Sequence, residues 1–179
     1  MPGTLRAAEV SMNRSQVQPA DTTHELMREY QDKLTRSLYE AIYRLDAASL
    51  DVLMEAQSRS CLGVFFGLTA PPSPMDLDSF LEAMRAAGTS QVDIQRDGNI
   101  IYWTERHQGR CICPLVRLEV VDLNAKLCTC AVHFVQRLFR TLAKTPVSVE
   151  MIETVATGAE NCCFRVTIEG GPETAGRGA

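Results

Sequence analysis

The chain has 179 residues, of which 45% are hydrophobic and 22% are charged, and its formal net charge is -4. This composition is typical of a globular domain and excludes general disorder, because a disordered chain carries fewer apolar residues and more net charge. Lysine and arginine are scattered among acidic residues, so we expect no basic surface and no nucleic-acid partner.

The sequence has no stretch that approaches the roughly 18–20 apolar residues of a transmembrane helix. Its N-terminal segment also has no apolar stretch after a basic start, which a secretory signal requires. We therefore expect no membrane association and a cytoplasmic, reducing compartment. Structural disulfides are rare in such a compartment, so the seven cysteines need another explanation.

The first half of the chain has the apolar spacing of helices. Residues 26–45 predict a first helix, and Asp46 is a typical N-cap for a second helix that ends near residues 63–67. The prolines of segment 71–74 interrupt the chain. A third, short helix is predicted over residues 76–88.

In the second half the apolar spacing changes to that of strands, and only residues 131–144 again predict a helix. The predicted β segments are a hairpin over residues 92–103 that turns at Asp97-Gly98, then residues 110–121, 147–155 and 162–168. Helices followed by strands indicate the α+β class, with N-terminal helices followed by a mostly antiparallel sheet with an inserted helix.

Both ends of the chain lack apolar periodicity. Residues 1–21 are polar and predict a disordered leader, and residues 170–179 are rich in glycine and predict a disordered tail. The prediction is therefore one α+β domain over residues 22–169, with its cysteine-rich part at the C-terminal side.

Four cysteines form two Cys-x-Cys pairs, Cys111 with Cys113 and Cys128 with Cys130. Side chains two residues apart in an extended segment point the same way, so each pair can direct two thiolates at one point. Four thiolates suit a structural zinc ion or an iron–sulfur cluster. Cys162 and Cys163 are adjacent and face opposite sides of a strand, so only one of them can reach the same site. We predict a metal centre that takes its ligands from the two pairs and from one of these two cysteines.

Other roles for the same residues stay open at this stage. The pairs can serve reversible disulfide or redox chemistry, or can be buried without a function, as we expect for Cys61 on the second helix. His133 can replace a thiolate, and His107 or His133 can act as the base of a cysteine hydrolase. We expect both histidines to be structural, and we assign no catalytic residue.

The last 60 residues resemble the 4-vinyl reductase domain of bacteria and archaea. The resemblance rests on Cys128-Thr129-Cys130 before a helix, on the segment Thr145 to Glu150 and on the segment Gly158 to Phe164. It implies a small-molecule-binding module. More distantly, the fold is similar to those of haem nitric-oxide-sensing domains and of TRAPP vesicle-tethering subunits.

The resemblance implies roles for individual residues. Cys128 or Cys130 and Cys162 correspond to the family's presumed zinc ligands, Phe164 to a core position and Gly158 to a turn. Many members have a cysteine where this chain has Thr154. Related cysteine-rich sequences are labelled as similar to aminothiazoline carboxylate hydrolases, so hydrolysis of a small heterocyclic or amide substrate is an alternative function.

These observations favour a ligand-binding or sensor module over an enzyme. An apolar cavity lined by Phe65, Phe66, Tyr102 and Trp103 would take a small apolar molecule. The apolar stripe of the first helix also includes Tyr30, Tyr39 and Tyr43, which gives it more apolar surface than one buried face requires and predicts a homodimer contact.

Overall fold

The computed structural model describes residues 19–69, 76–86 and 92–170. Its elements, in chain order, are α1 (Pro19–Ile42), α2 (Ala47–Thr69), α3 (Leu77–Ala86), β1 (Val92–Asp97), β2 (Ile100–Glu105), α4 (Pro114–Arg117), α5 (Thr129–Ala143), β3 (Val147–Glu153), a 3-10 helix (Val155–Thr157) and β4 (Cys162–Ile168). Three helices thus precede a four-stranded sheet into which α5 is inserted, and the predicted α+β class is confirmed.

The sheet is antiparallel throughout, with the strand order β1-β2-β4-β3. The β1–β2 hairpin turns at Gly98, whose φ of 60° is accessible to glycine at little cost. In the pairing of β2 with β4, Glu105 faces Cys162 and Trp103 faces Phe164. The cysteine end of β4 therefore lies beside the end of β2.

One apolar cluster lies between the sheet and the helices α3 and α5. Trp103 stacks on Phe80, with ring centroids 6.1 Å apart, and meets Phe139 edge-on at 5.5 Å. Phe164 is 1% exposed in the same cluster, as the family resemblance implied. Close aromatic packing of this kind makes the sheet and α5 one rigid support.

A second apolar cluster joins the start of α2 to the segment before α5. Its buried members are Leu50, Met54, Val120, Val121, Leu127 and Cys130, and Tyr39, Ile42, Tyr43 and Cys113 pack against them. Cys162 packs against the first cluster. The cysteines thus lie where the two clusters meet.

The predicted strand at residues 110–121 was wrong. This segment is irregular except for the single turn α4, in which Pro114 occupies the first position. Proline suits that position because the missing N–H has no partner in a first turn. Isoleucine and valine favoured a strand here, but no neighbouring strand offers them hydrogen bonds.

Several predictions fall outside the described residues: the leader up to residue 18, the proline segment 71–74, the helix stop at Gly88 and the tail from residue 171. Among the residues that are described, no helix is long and apolar enough to cross a membrane.

Candidate metal centre

Six of the seven cysteines come together from four parts of the fold. They are Cys61 on α2, Cys111 and Cys113 before α4, Cys128 and Cys130 at the start of α5, and Cys162 at the start of β4. All are free thiols, and all but Cys130 are partly exposed. Cys163 faces away from them, since its sulfur accepts a hydrogen bond from Thr104 Oγ1 at 3.3 Å.

Thr154 connects two of the sulfurs. Its side chain is 2% exposed, and its Oγ1 donates to Cys128 Sγ at 3.3 Å and lies 3.5 Å from Cys162 Sγ. The same oxygen accepts from the backbone N–H of Ala156 and so caps the 3-10 helix. Cys128 and Cys162, 34 positions apart in the sequence, therefore both lie against one buried hydroxyl.

Cys111 and Cys113 bring two further sulfurs to this place. The backbone N–H of Cys113 donates to Cys111 Sγ at 3.4 Å, an interaction that stabilises a thiolate. Burial raises the pKa of Cys111, and negative charge on Cys113, Cys128 and Cys162 raises it further. The four sulfurs thus lie within electrostatic range of one another.

Cys130 faces the opposite way from Cys128. Successive helical residues are rotated by about 100°, so side chains two apart diverge by roughly 200°. Cys130 accordingly turns to α2, where Gln57 Nε2 lies 3.6 Å from its sulfur and Cys61 hydrogen-bonds to it. The prediction that residues 128 and 130 point together assumed an extended backbone, whereas α5 already begins at Thr129.

The contact between Cys61 and Cys130 shifts the pKa values of the two thiols in opposite directions. The hydrogen bond from Cys130 lowers the pKa of Cys61 to about 7. The same contact, together with burial, raises the pKa of Cys130. Sequence reasoning treated Cys61 as an inert apolar residue, and nothing in its local pattern indicates the partner on α5.

Tyr39 on α1 and Tyr43 just after this helix lie over the cysteines. Tyr39 Oη donates to Gln57 Oε1 at 2.7 Å, whereas Tyr43 Oη is buried and has no hydrogen-bond partner among the described residues. Burial raises the pKa of each to about 12, and nearby cysteines add to the rise. Sequence reasoning placed both tyrosines in an apolar stripe and missed their orientation.

The donor set fits a thiophilic metal ion, although the sulfurs are not yet gathered around one point. Within the described ranges, no three His, Cys, Asp or Glu side chains are arranged to hold a metal ion. Zinc–sulfur bonds are about 2.3 Å long, so binding requires the side chains to rotate inward.

The two predicted histidines each pair with a carboxylate. His107 Nε2 lies 3.1 Å from Glu105 Oε2, with the His107 side chain 5% exposed, and Trp103 Nε1 donates to the other oxygen of Glu105. His133 Nε2 lies 2.8 Å from Asp51 Oδ1. These contacts agree with structural roles and orient neither imidazole as the base of a cysteine nucleophile.

Two open clefts among the described residues have polar walls. One, of about 510 Å³, lies between α2 and α5 and includes Glu55 and Arg137. The other, of about 520 Å³, is lined by Arg106, Gln108, Gly109, Glu160 and Asn161. Of the four aromatic residues predicted to line an apolar cavity, Trp103 is core-packed and Tyr102 is 39% exposed, while the Phe65 and Phe66 side chains lie outside the described residues.

Comparison with known proteins gives no family for this chain. No protein-family model matches it, and no curated protein is detectably similar. The resemblance to the 4-vinyl reductase domain therefore stays a prediction. Two of its local implications agree with the geometry: Phe164 is in the core, and Gly158 has a φ of 94° after the 3-10 helix.

Proposed function

We propose that this chain is a small-molecule-binding or sensor module stabilised by one zinc ion, with Cys111, Cys113, Cys128 and Cys162 as ligands. The observation that carries the proposal is the contact of Thr154 Oγ1 with the sulfurs of Cys128 and Cys162. Four thiolates fill a tetrahedral zinc site and leave no position for water, so the metal is structural and not catalytic.

The position of the ligands gives the metal a clear structural task. Residues 106–128 join β2 to α5 and contain only the single turn α4. Long irregular connections are uncommon unless they have a function. A zinc ion would tie this connection to the start of α5 and to the start of β4, and so would link the two apolar clusters.

Thiol chemistry makes the proposed binding depend on pH. Burial raises the pKa of Cys111, Cys113 and Cys128, so these groups are protonated before a metal binds. Zinc displaces such protons, which makes binding depend on pH. The resulting thiolates would accept a hydrogen bond from the Thr154 hydroxyl.

The second cleft supports a sensing role. Its walls are residues 106–109, just before Cys111, and residues 160–161, just before Cys162. Two hydrogen bonds join these walls, from Gly109 N–H to the Glu160 carbonyl at 2.8 Å and from His107 N–H to Asn161 Oδ1 at 3.1 Å. A polar molecule that parts these walls would move two metal ligands, which couples ligand binding to the metal site.

A thiol redox protein is the second candidate, because Cys61 and Cys130 lie close enough to shift each other's pKa. In that case the pair would form a disulfide by exchange with a partner's disulfide, which would take up the two electrons and two protons as a dithiol. An iron–sulfur cluster would instead use the same ligands as zinc.

Metal analysis of the full chain, purified without oxygen, tests the proposal. We expect one zinc per chain that survives dialysis. The variants C111S, C128S and C162S should each lose it, whereas C163S, whose sulfur lies outside the centre, should retain it. Iron with sulfide would favour the cluster, and a metal-free chain with an oxidisable Cys61–Cys130 pair would overturn the zinc assignment.

A further inference from the structure

Helix α1 has two apolar faces. One face, with Tyr39, Ile42 and the following Tyr43, is half-buried against the second apolar cluster. The other forms a stripe along the helix and into the following turn. The stripe residues and their exposed fractions are Met27 (58%), Tyr30 (61%), Leu34 (45%), Leu38 (54%) and Leu45 (36%).

The single chain does not explain the stripe. Every residue from 22 to 34 is exposed. Met27, Tyr30, Leu34 and Leu38 recur every three or four positions, which places them on one side of the helix. A continuous exposed apolar patch of this kind marks an interaction surface.

We infer that this stripe binds a second copy of the same chain, with the two α1 helices antiparallel. One register pairs large residues with suitable partners. Leu34 then lies opposite the partner's Leu38, and Tyr30 opposite the small side chain of the partner's Ala41. The two pairs share one two-fold axis, which crosses the helix near residue 36.

The charges beside the stripe favour a second copy of this chain as the partner. Glu29, Lys33 and Glu40 fall along one edge of the stripe when the residues of α1 are placed at about 100° each. In the antiparallel register Lys33 lies opposite the partner's Glu40. In a parallel pair this edge of one helix would lie across the interface from the opposite edge of the other helix, so Lys33 and Glu40 would not face each other. Charges that complement themselves in this way favour a symmetric homodimer.

Sedimentation of the full chain over a range of concentrations tests the inference. We expect the wild type to be a dimer at micromolar concentration and L34E to dissociate at least about tenfold more readily, because a buried charge at a central contact is costly. The matched control is I152E, since Ile152 is 50% exposed on β3, away from α1. It should sediment as the wild type.

Charge reversal tests the orientation. K33E should weaken the dimer, and the double variant K33E/E40K should restore it, because the antiparallel pair regains opposite charges. Circular dichroism confirms that each variant is folded. A wild type that stays monomeric, or an L34E variant that dimerises normally, overturns the inference. A double variant that stays weak overturns the antiparallel register. The stripe on α1 does not include the proposed zinc ligands. The zinc proposal and the dimer inference can therefore be contradicted independently, by metal analysis and by sedimentation.

Discussion

At the scale of single residues, the position of Thr154 decides how the centre is built. A buried hydroxyl needs a partner, and here its neighbours are the sulfurs of Cys128 and Cys162. The same residue caps the 3-10 helix through Ala156 N–H, so its side chain is held in place. Many members of the resembling family have a cysteine at this position. In this chain Thr154 would support two of the proposed ligands instead of supplying one.

Removal of the Thr154 hydroxyl should therefore weaken metal binding. We expect T154V to lower zinc affinity by about 10- to 100-fold, as is usual when a hydrogen-bond partner of a ligand is lost. Competition with a chromophoric chelator measures the change.

The matched control for this prediction is T104V, which removes the hydroxyl beside Cys163 and should leave zinc affinity unchanged. Equal affinity in T154V and the wild type would contradict the role given to Thr154.

At the scale of elements, the start of α5 divides the cysteines into two groups. Cys128 faces β4, whereas Cys130 faces α2 and contacts Cys61. Helical rotation separates two side chains that an extended backbone would have aligned. The α2–α5 contact therefore holds a pair of thiols distinct from the proposed zinc ligands.

This contact predicts how the reactivity of the Cys61 thiol depends on pH. The pKa of Cys61 is lowered to about 7 by the hydrogen bond from Cys130, so alkylation by iodoacetamide should rise to half its maximum near pH 7. The stability that this hydrogen bond contributes is fully present at pH values above the ordinary pKa of a thiol. It is lost as the pH falls through about 7.

Peptide mapping after short labelling pulses measures the profile. C130A should move the midpoint of Cys61 to higher pH, since the donor is gone, while C163A should leave it unchanged. An unchanged Cys61 midpoint in C130A would argue against the contact between Cys61 and Cys130.

At the scale of the whole molecule, two apolar clusters meet at the cysteines. The first is closed by aromatic packing of Trp103 with Phe80 and Phe139. The second holds Leu127 and Val121 next to the irregular connection before α5. Burial of apolar side chains supports the first without a metal, whereas the second includes a segment with little regular structure.

Metal removal should therefore act on only part of the molecule. After treatment with a zinc chelator, we expect faster amide exchange in residues 111–130 and 154–163 and unchanged exchange in β1, β2 and α3. Hydrogen exchange with mass spectrometry measures both regions in one experiment. Uniform loosening, or none, would contradict the proposed location of the metal.

Outside residues 110–121, the sequence by itself determined the order of helices and strands. Apolar spacing, the Asp97-Gly98 turn and the Asp46 cap are local signals, and each depends on a few neighbouring residues. Asp46 does accept from the backbone N–H groups of Ala48 and Ser49. The cysteine pairs also identified the region of the candidate site, because unpaired thiols are unusual in such number.

Only the tertiary structure decided which thiols lie together. Residues 110–121 have strand-like composition but find no strand to pair with, so they form a connection and a single helical turn. The contact of Cys61 with Cys130, and the meeting of Cys128, Thr154 and Cys162, join residues far apart in the chain. Such contacts depend on how helices rotate and how the sheet pairs, and no local pattern of residues records either.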